Sequence, residues 1–236
     1  MKRAINLTLL LLVACATAIP ANRYGLRVVP DLGTFERLVR EDPSKDLFNI
    51  AALGIVTDIR YATPNNFMME TLYSVPKAYL RAQAANALAD ANLELAERGL
   101  TLKVFDGYRP YSINEKMWER IRNPDFVADP AKGSRHNRGA AVDLTLIDRV
   151  SGAELAMPTP YDDFTPRARH DFNDLPAEVI ANRALLRDIM VKYGFEPLPS
   201  EWWHYDFKGW ERFELMNVPL KALEAHQARQ PPPIPW

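Results

Sequence analysis

The chain has 236 residues, a formal net charge of −1 and 47% hydrophobic residues, enough apolar material for one sizeable core. Its basic residues are spread out and the balance is slightly acidic, a pattern that argues against a nucleic-acid-binding protein. Nineteen prolines and ten glycines call for many loops, yet no internal repeat or long low-complexity run interrupts the middle of the chain.

Residues 1–20 read as a targeting segment. Met1-Lys2-Arg3 is a basic start, and Ala4 to Ala14 is an apolar run of signal-peptide length. A membrane span needs about 20 apolar residues, so this run is too short to cross. The sole cysteine ends Leu12-Val13-Ala14-Cys15, which resembles a lipobox whose cysteine becomes lipidated and attaches the protein to a membrane. Ala16-Thr17-Ala18 fits ordinary small-x-small cleavage instead. Both routes predict export, to a bacterial periplasm or to a membrane-anchored lipoprotein. With no second cysteine, the body can form no internal disulfide.

The body is expected over residues 21–225, followed by a proline-rich tail over 226–236. Its first element is a short helix near Thr34 to Arg40. Gly54 to Tyr61 reads as a strand from its β-branched residues. Pro76 to Arg98 is the clearest helix, with Leu80, Ala84, Leu88, Ala91 and Leu95 on one stripe and Gly99 as its stop. Thr101 to Phe105 predicts a strand that ends at the turn Asp106-Gly107-Tyr108-Arg109-Pro110. Ser112-Ile113-Asn114-Glu115 has the form of a capping box opening a helix through Ile121. Ala141 to Ile147 alternates as a strand, with Asp143 facing away from Val142 and Leu144, and Gly139 lets the chain turn before it. A helix from Glu178 to Tyr193 stops at Gly194, and Trp203 to Phe207 forms an aromatic strand with His204 opposite Trp203 and Tyr205. Glu201 and His204 would point apart on a regular strand, so Glu201 belongs on the Pro199-Ser200 turn. Helices mixed with short strands, without βαβ regularity, predict an α+β fold.

Two segments carry chemistry: Ser134-Arg135-His136-Asn137-Arg138-Gly139-Ala140-Ala141-Val142-Asp143 and Glu201-Trp202-Trp203-His204. Together they supply two imidazoles, one carboxylate ligand and one spare carboxylate. Three protein ligands with an open position and a nearby base are the inventory of a catalytic zinc site. A charged Asp143 amid Ala-Val-x-Leu-Thr-Leu needs a metal or a counter-charge. His170 and His226 have no motif around them and read as structural or exposed. Trp202, Trp203 and Tyr205 read as cavity wall and core.

These motifs resemble the zinc D-Ala-D-Ala dipeptidases within the wider D-Ala-D-Ala metallopeptidase group. The match includes Tyr61-Ala62-Thr63 with Asn66-Phe67, then Asp106-Gly107-Tyr108-Arg109-Pro110. It continues through Ser134-x-His136-x-x-Gly139-x-Ala141-x-Asp143-Leu144-Thr145-Leu146, then Gly194-Phe195-Glu196 and Glu201-Trp202-Trp203-His204-Tyr205. The motifs keep one order from Gly54 to Phe207; the chain departs at Met68-Met69-Glu70, where the family often has glycine after Asn-Phe.

The resemblance implies a small antiparallel sheet carrying the zinc site, flanked by helices. It implies one zinc per chain on His136, Asp143 and His204, with Glu201 as base and Arg109 stabilising the transition state. Tyr61, Ser134 and Asp162 fall at the substrate-binding end, with Asp163 the nearest rival of Asp162. The implied substrate is D-Ala-D-Ala or a similar dipeptide of peptidoglycan turnover. Two other functions compete: a D,D-carboxypeptidase or endopeptidase acting on longer substrates, and a zinc-stabilised binding module without catalysis. Glu201 and Arg109 together weigh against the second, because a purely structural zinc needs neither.

Overall fold

The computed structural model describes residues 18–229. Cys15, most of the expected export signal and the Pro-Pro-Pro tail lie outside the described residues. In chain order the elements are β1 (Val28–Val29), α1 (Leu32–Glu41), β2 (Leu47–Asn49), β3 (Val56–Thr57), β4 (Tyr79–Arg81), α2 (Ala82–Ala96) and β5 (Leu100–Asp106). There follow α3 (Tyr111–Ile121), β6 (Ala141–Asp148), α4 (Ala177–Lys192), β7 (Phe195–Pro197), β8 (His204–Phe207), β9 (Leu215–Met216) and α5 (Leu220–Gln227).

The main sheet has five strands in the order β3-β5-β6-β8-β7. Most of it is antiparallel as expected, but β3 runs parallel to β5. The physical reason is the connection: the chain passes through β4 and α2 between them, the crossover that a parallel pair requires. Of two small ribbons, β1 with β9 ties the two ends of the fold together, and β2 with β4 lies just before α2.

Packing follows the alternation in β6. Val142, Leu144 and Leu146 join Leu102, Val104, Leu88, Leu186 and Met190 in the main hydrophobic core. Asp143 takes the other face, as period-two geometry demands. The stripe on α2 is real, and Ala84, Leu88, Ala91 and Leu95 are fully buried. The helix nevertheless starts at Ala82 and not at Pro76, because Tyr79–Arg81 pairs with β2 first. Leu80 is buried from that strand.

Two other expectations change. Only Val56–Thr57 of the Gly54 to Tyr61 stretch is strand. After Asp58 donates its N–H to Val104 O (2.8 Å), the chain tightens into a 3₁₀ turn over Arg60–Ala62 that carries Tyr61. The capping box is absent: Pro110 precedes α3, Ser112 lies inside it, and the Ser112 N–H is satisfied by Asn217 Oδ1 (2.9 Å) instead. A tertiary partner has replaced the local cap. At the C-terminus, α5 runs past residue 225, and His226 packs on Phe35 (5.7 Å between rings) while bonding Glu36 (2.9 Å). His226 is therefore part of the body.

Two glycines matter to the site. Gly139 has φ +67°, and a Cβ there would meet Leu47 Cδ2 at 2.6 Å. At Gly107 a Cβ would stand 2.9 Å from Tyr79 O, which the Tyr108 N–H needs (2.8 Å). Gly107 lets backbone approach backbone, whereas Gly139 combines a left-handed backbone with a tightly packed leucine methyl.

Candidate metal centre and active site

Strand register builds the site. Asp143 on β6 pairs with His204 on β8 and with Asp106 on β5, so three polar residues stand in one row across adjacent strands. Between Val104 and Asp106 the register shifts. That bulge substitutes Asp106 for Phe105 opposite Asp143. His136 enters from the 3₁₀ turn His136–Arg138, which Gly139 ends. Asn137 binds this turn to the Arg109 loop: its Oδ1 accepts from Ser134 N (2.9 Å), and its Nδ2 donates to Arg109 O (2.9 Å). The Arg109 N–H closes the clasp on His136 O (3.0 Å).

The three candidate ligand atoms form a tight triangle. His136 Nε2 is 3.1 Å from His204 Nδ1 and 3.4 Å from Asp143 Oδ1, and His204 Nδ1 is 3.0 Å from Asp143 Oδ1. Tetrahedral nitrogen donors about 2.0–2.1 Å from one zinc stand about 3.3–3.4 Å apart, close to these edges. The outer nitrogens explain the orientation. His136 Nδ1 donates to Gly107 O (2.8 Å) and His204 Nε2 to Asp206 Oδ1 (3.0 Å). Those tautomers leave both inward nitrogens as lone pairs. Two lone pairs and a carboxylate oxygen at this spacing can converge on one cation. The donor set therefore fits a metal ion.

Electrostatics agree. Burial opposes ionisation of Asp143, but the neighbouring imidazoles overcome it and hold its carboxyl well below the usual range. Burial likewise opposes charge on His204, and the Asp206 and Asp143 carboxylates raise its pKa well above normal. The cluster favours positive charge at its centre. Asp206→Asn is expected to weaken zinc binding about 10–100-fold, measured by competition with a chelator; an unchanged affinity would show that Asp206 does not orient His204.

The remaining groups surround the triangle. Glu201 Oε2 is 3.9 Å from His204 Nδ1, on the turn before β8, and burial above all pushes its pKa up to about 8. Arg109 directs Nε and Nη2 at Asp106 Oδ2 (3.0 and 2.8 Å), while its guanidinium carbon lies 5.1 Å from the centre of the Tyr61 ring. Tyr73 donates to the other Asp106 oxygen (2.7 Å). Asp162 sits at φ +63°, an uncommon conformation for a residue with a side chain. Its Oδ1 accepts from Tyr61 (3.1 Å), whereas its buried Oδ2 has no partner. Tyr161 donates to Asp143 Oδ2 (2.9 Å), keeping that oxygen outside the triangle. Ser134 Oγ accepts the His136 N–H (3.1 Å). All these side chains except Asp106, Asp206, Tyr73 and Tyr161 line one cavity of about 260 Å³.

The family model described as D-ala-D-ala dipeptidase matches residues 45–217 of the chain, which includes the whole triangle. The chain belongs to this family. It is 34% identical over 149 residues to a D-alanyl-D-alanine dipeptidase of Escherichia coli, covering 63% of this chain and 77% of that one. A D-alanyl-D-alanine dipeptidase of Enterococcus faecalis is 30% identical over 172 residues, covering 64% of this chain and 85% of that one. The protein is thus a metallopeptidase of the dipeptidase family, and its own α+β fold carries the site on a sheet.

The eight residues singled out from the sequence (Tyr61, Arg109, Ser134, His136, Asp143, Asp162, Glu201 and His204) all line this cavity. Asp163, the rival of Asp162, instead caps its own loop by accepting the Thr165 N–H (3.0 Å). Trp203 forms cavity wall, and Trp202 is anchored by Thr159 (3.0 Å). Sequence reasoning missed Asp106, Asp206 and Tyr161. For Asp206 a signal existed: His204-x-Asp206 on a strand puts both side chains on one face.

Proposed function

We propose that the protein hydrolyses D-Ala-D-Ala or closely similar dipeptides with a free amino terminus, in peptidoglycan metabolism, using one zinc ion held by His136, Asp143 and His204. The observation that carries the choice of a dipeptide is Asp162. Its carboxylate is buried in the same cavity as the ligand triangle and has one oxygen without a partner. Burial, followed by the nearby Asp143 charge, raises its pKa well above the usual range. A cation beside it favours the charged form, and a substrate ammonium supplies one through a charge-assisted hydrogen bond.

When bound, zinc supplies Lewis acidity toward water and a carbonyl oxygen. The chain does the rest. Glu201, buried beside the triangle, takes a proton from the attacking water and returns it to the leaving amine. Arg109 is fixed by Asp106 and lines the cavity, where its guanidinium donates to the oxyanion, whose charge grows only in the transition state. Ser134 and Tyr61 provide hydroxyls at the cavity wall for orienting the substrate.

The test is the amino terminus. Free D-Ala-D-Ala should be cleaved at least about tenfold more efficiently than its N-acetyl form, since acetylation leaves the Asp162 carboxylate buried and unpartnered. Asp162→Asn should raise KM for the free dipeptide and narrow that gap. Equal rates on both substrates in the unmutated protein would establish the carboxypeptidase reading instead. Export is a further part of the proposal: the basic-apolar leader supports it, and the mass of the mature N-terminus separates lipidation at Cys15 from cleavage after Ala18.

A further inference from the structure

Asp143 carries two carboxylate oxygens, and Oδ1 is the one that faces the inward nitrogens of both histidines. Oδ2 accepts the Tyr161 hydroxyl proton at 2.9 Å. The phenol has one proton to give, and an ionised carboxylate is a stronger acceptor than the Tyr61 hydroxyl 3.2 Å away. Arg109 Nη2 stands 3.9 Å from the same carboxylate oxygen, beyond hydrogen-bond reach, and is already bound to Asp106. The hold on Oδ2 therefore belongs to Tyr161.

The ring behind that hydroxyl is fixed on more than one side. It stacks on Phe105 (4.7 Å between centres, 27° between planes) and meets Trp203 edge-on (5.6 Å). Phe105 is the residue that the β5 bulge leaves unpaired, and the Arg60 guanidinium carbon lies 4.9 Å from its ring centre. The irregularity that brings Asp106 opposite Asp143 thus also supplies the platform for Tyr161. Tyr161 itself does not line the cavity, so it acts through Asp143 and not on the substrate.

A carboxylate can hold a metal ion through one oxygen or through both. Binding through both would use a position that a catalytic zinc keeps open. We propose that Tyr161 is a positioning residue that restricts Asp143 to a single ligand oxygen and so keeps one metal position free for water and the substrate carbonyl. This assignment rests on the zinc reading of the triangle and is independent of which peptide is cleaved.

The test replaces zinc by cobalt(II), whose visible absorption bands are strong at low coordination number and weaken as ligands are added. Tyr161→Phe removes the hydroxyl and keeps the ring with its packing. With one metal measured per chain and no substrate present, the variant should show weaker bands than wild type. Its zinc form should lose about 10–100-fold in kcat/KM on D-Ala-D-Ala while still holding one zinc. Identical cobalt spectra in the two proteins would overturn the assignment, and so would an unchanged kcat/KM. Loss of zinc from Tyr161→Phe would overturn it too, because the hydroxyl would then supply affinity and not an open position. If neither protein cleaves the dipeptide but the spectra differ as expected, the dipeptidase reading fails and this assignment holds. If wild type binds no metal, both fail.

Discussion

Replacing Glu201 by Gln is expected to lower kcat on D-Ala-D-Ala by about 10²–10⁴-fold, the usual contribution of a positioned general base, while the protein keeps its zinc. The geometry separates the two properties. Glu201 Oε2 stands 3.9 Å from His204 Nδ1, outside the triangle whose edges are 3.0–3.4 Å. Glutamine keeps the shape and burial of the side chain but cannot accept and return a proton. Because the residue acts on the proton and not on ground-state binding, KM should change much less than kcat. Elemental analysis and steady-state kinetics on one preparation check both halves. Loss of metal from Glu201→Gln would make Glu201 a ligand and overturn its assignment as base.

Removing the metal should abolish turnover, and adding zinc back should restore it. His136, Asp143 and His204 leave their donor atoms facing one another, and no other side chain in the cavity can replace the Lewis acid. A second readout needs no substrate. An ion that binds the folded chain and not the unfolded one stabilises it by about 2.7 kcal/mol at a free concentration 100 times Kd. For a domain of this size that raises Tm by about 5–10 °C. Thermal unfolding with and without zinc measures it, and His136→Ala should lose the shift. A fully active protein after rigorous chelation would sink the metal mechanism outright. An unshifted Tm with one bound zinc would show that the ion binds folded and unfolded chains alike.

The groups that line the cavity are themselves held from behind. Asp106 orients Arg109 and Asp206 orients His204, so each working group is held by a carboxylate that does not itself line the cavity. Preorganisation of this kind matters because misplacement by about 1 Å can cost a catalytic site about 100-fold in rate.

Much of this was legible locally. His136, Asp143, Glu201 and His204 declare themselves because ligand chemistry demands particular residue types, and a charge placed in an apolar alternation needs a partner wherever the strand lies. The long stripe on α2 and the glycine that stops it are local facts of the same sort, since helical period and left-handed caps are properties of adjacent residues. The roles of Asp106 and Tyr161 were not legible, because each depends on what another segment brings beside it, whereas that of Asp206 follows from its place two residues after His204 on one strand. The bulge after Val104 decides that Asp106 and not Phe105 faces Asp143. Pairing with β2 converts Tyr79–Arg81 from helix to strand, and Asn217, distant in sequence, replaces the cap expected of Ser112. Asp162 was distinguished from Asp163 by resemblance, but a left-handed backbone and a missing hydrogen-bond partner are what mark it physically. Residue type sets what a side chain can do; register and packing set what it meets, because those contacts can join residues 190 positions apart.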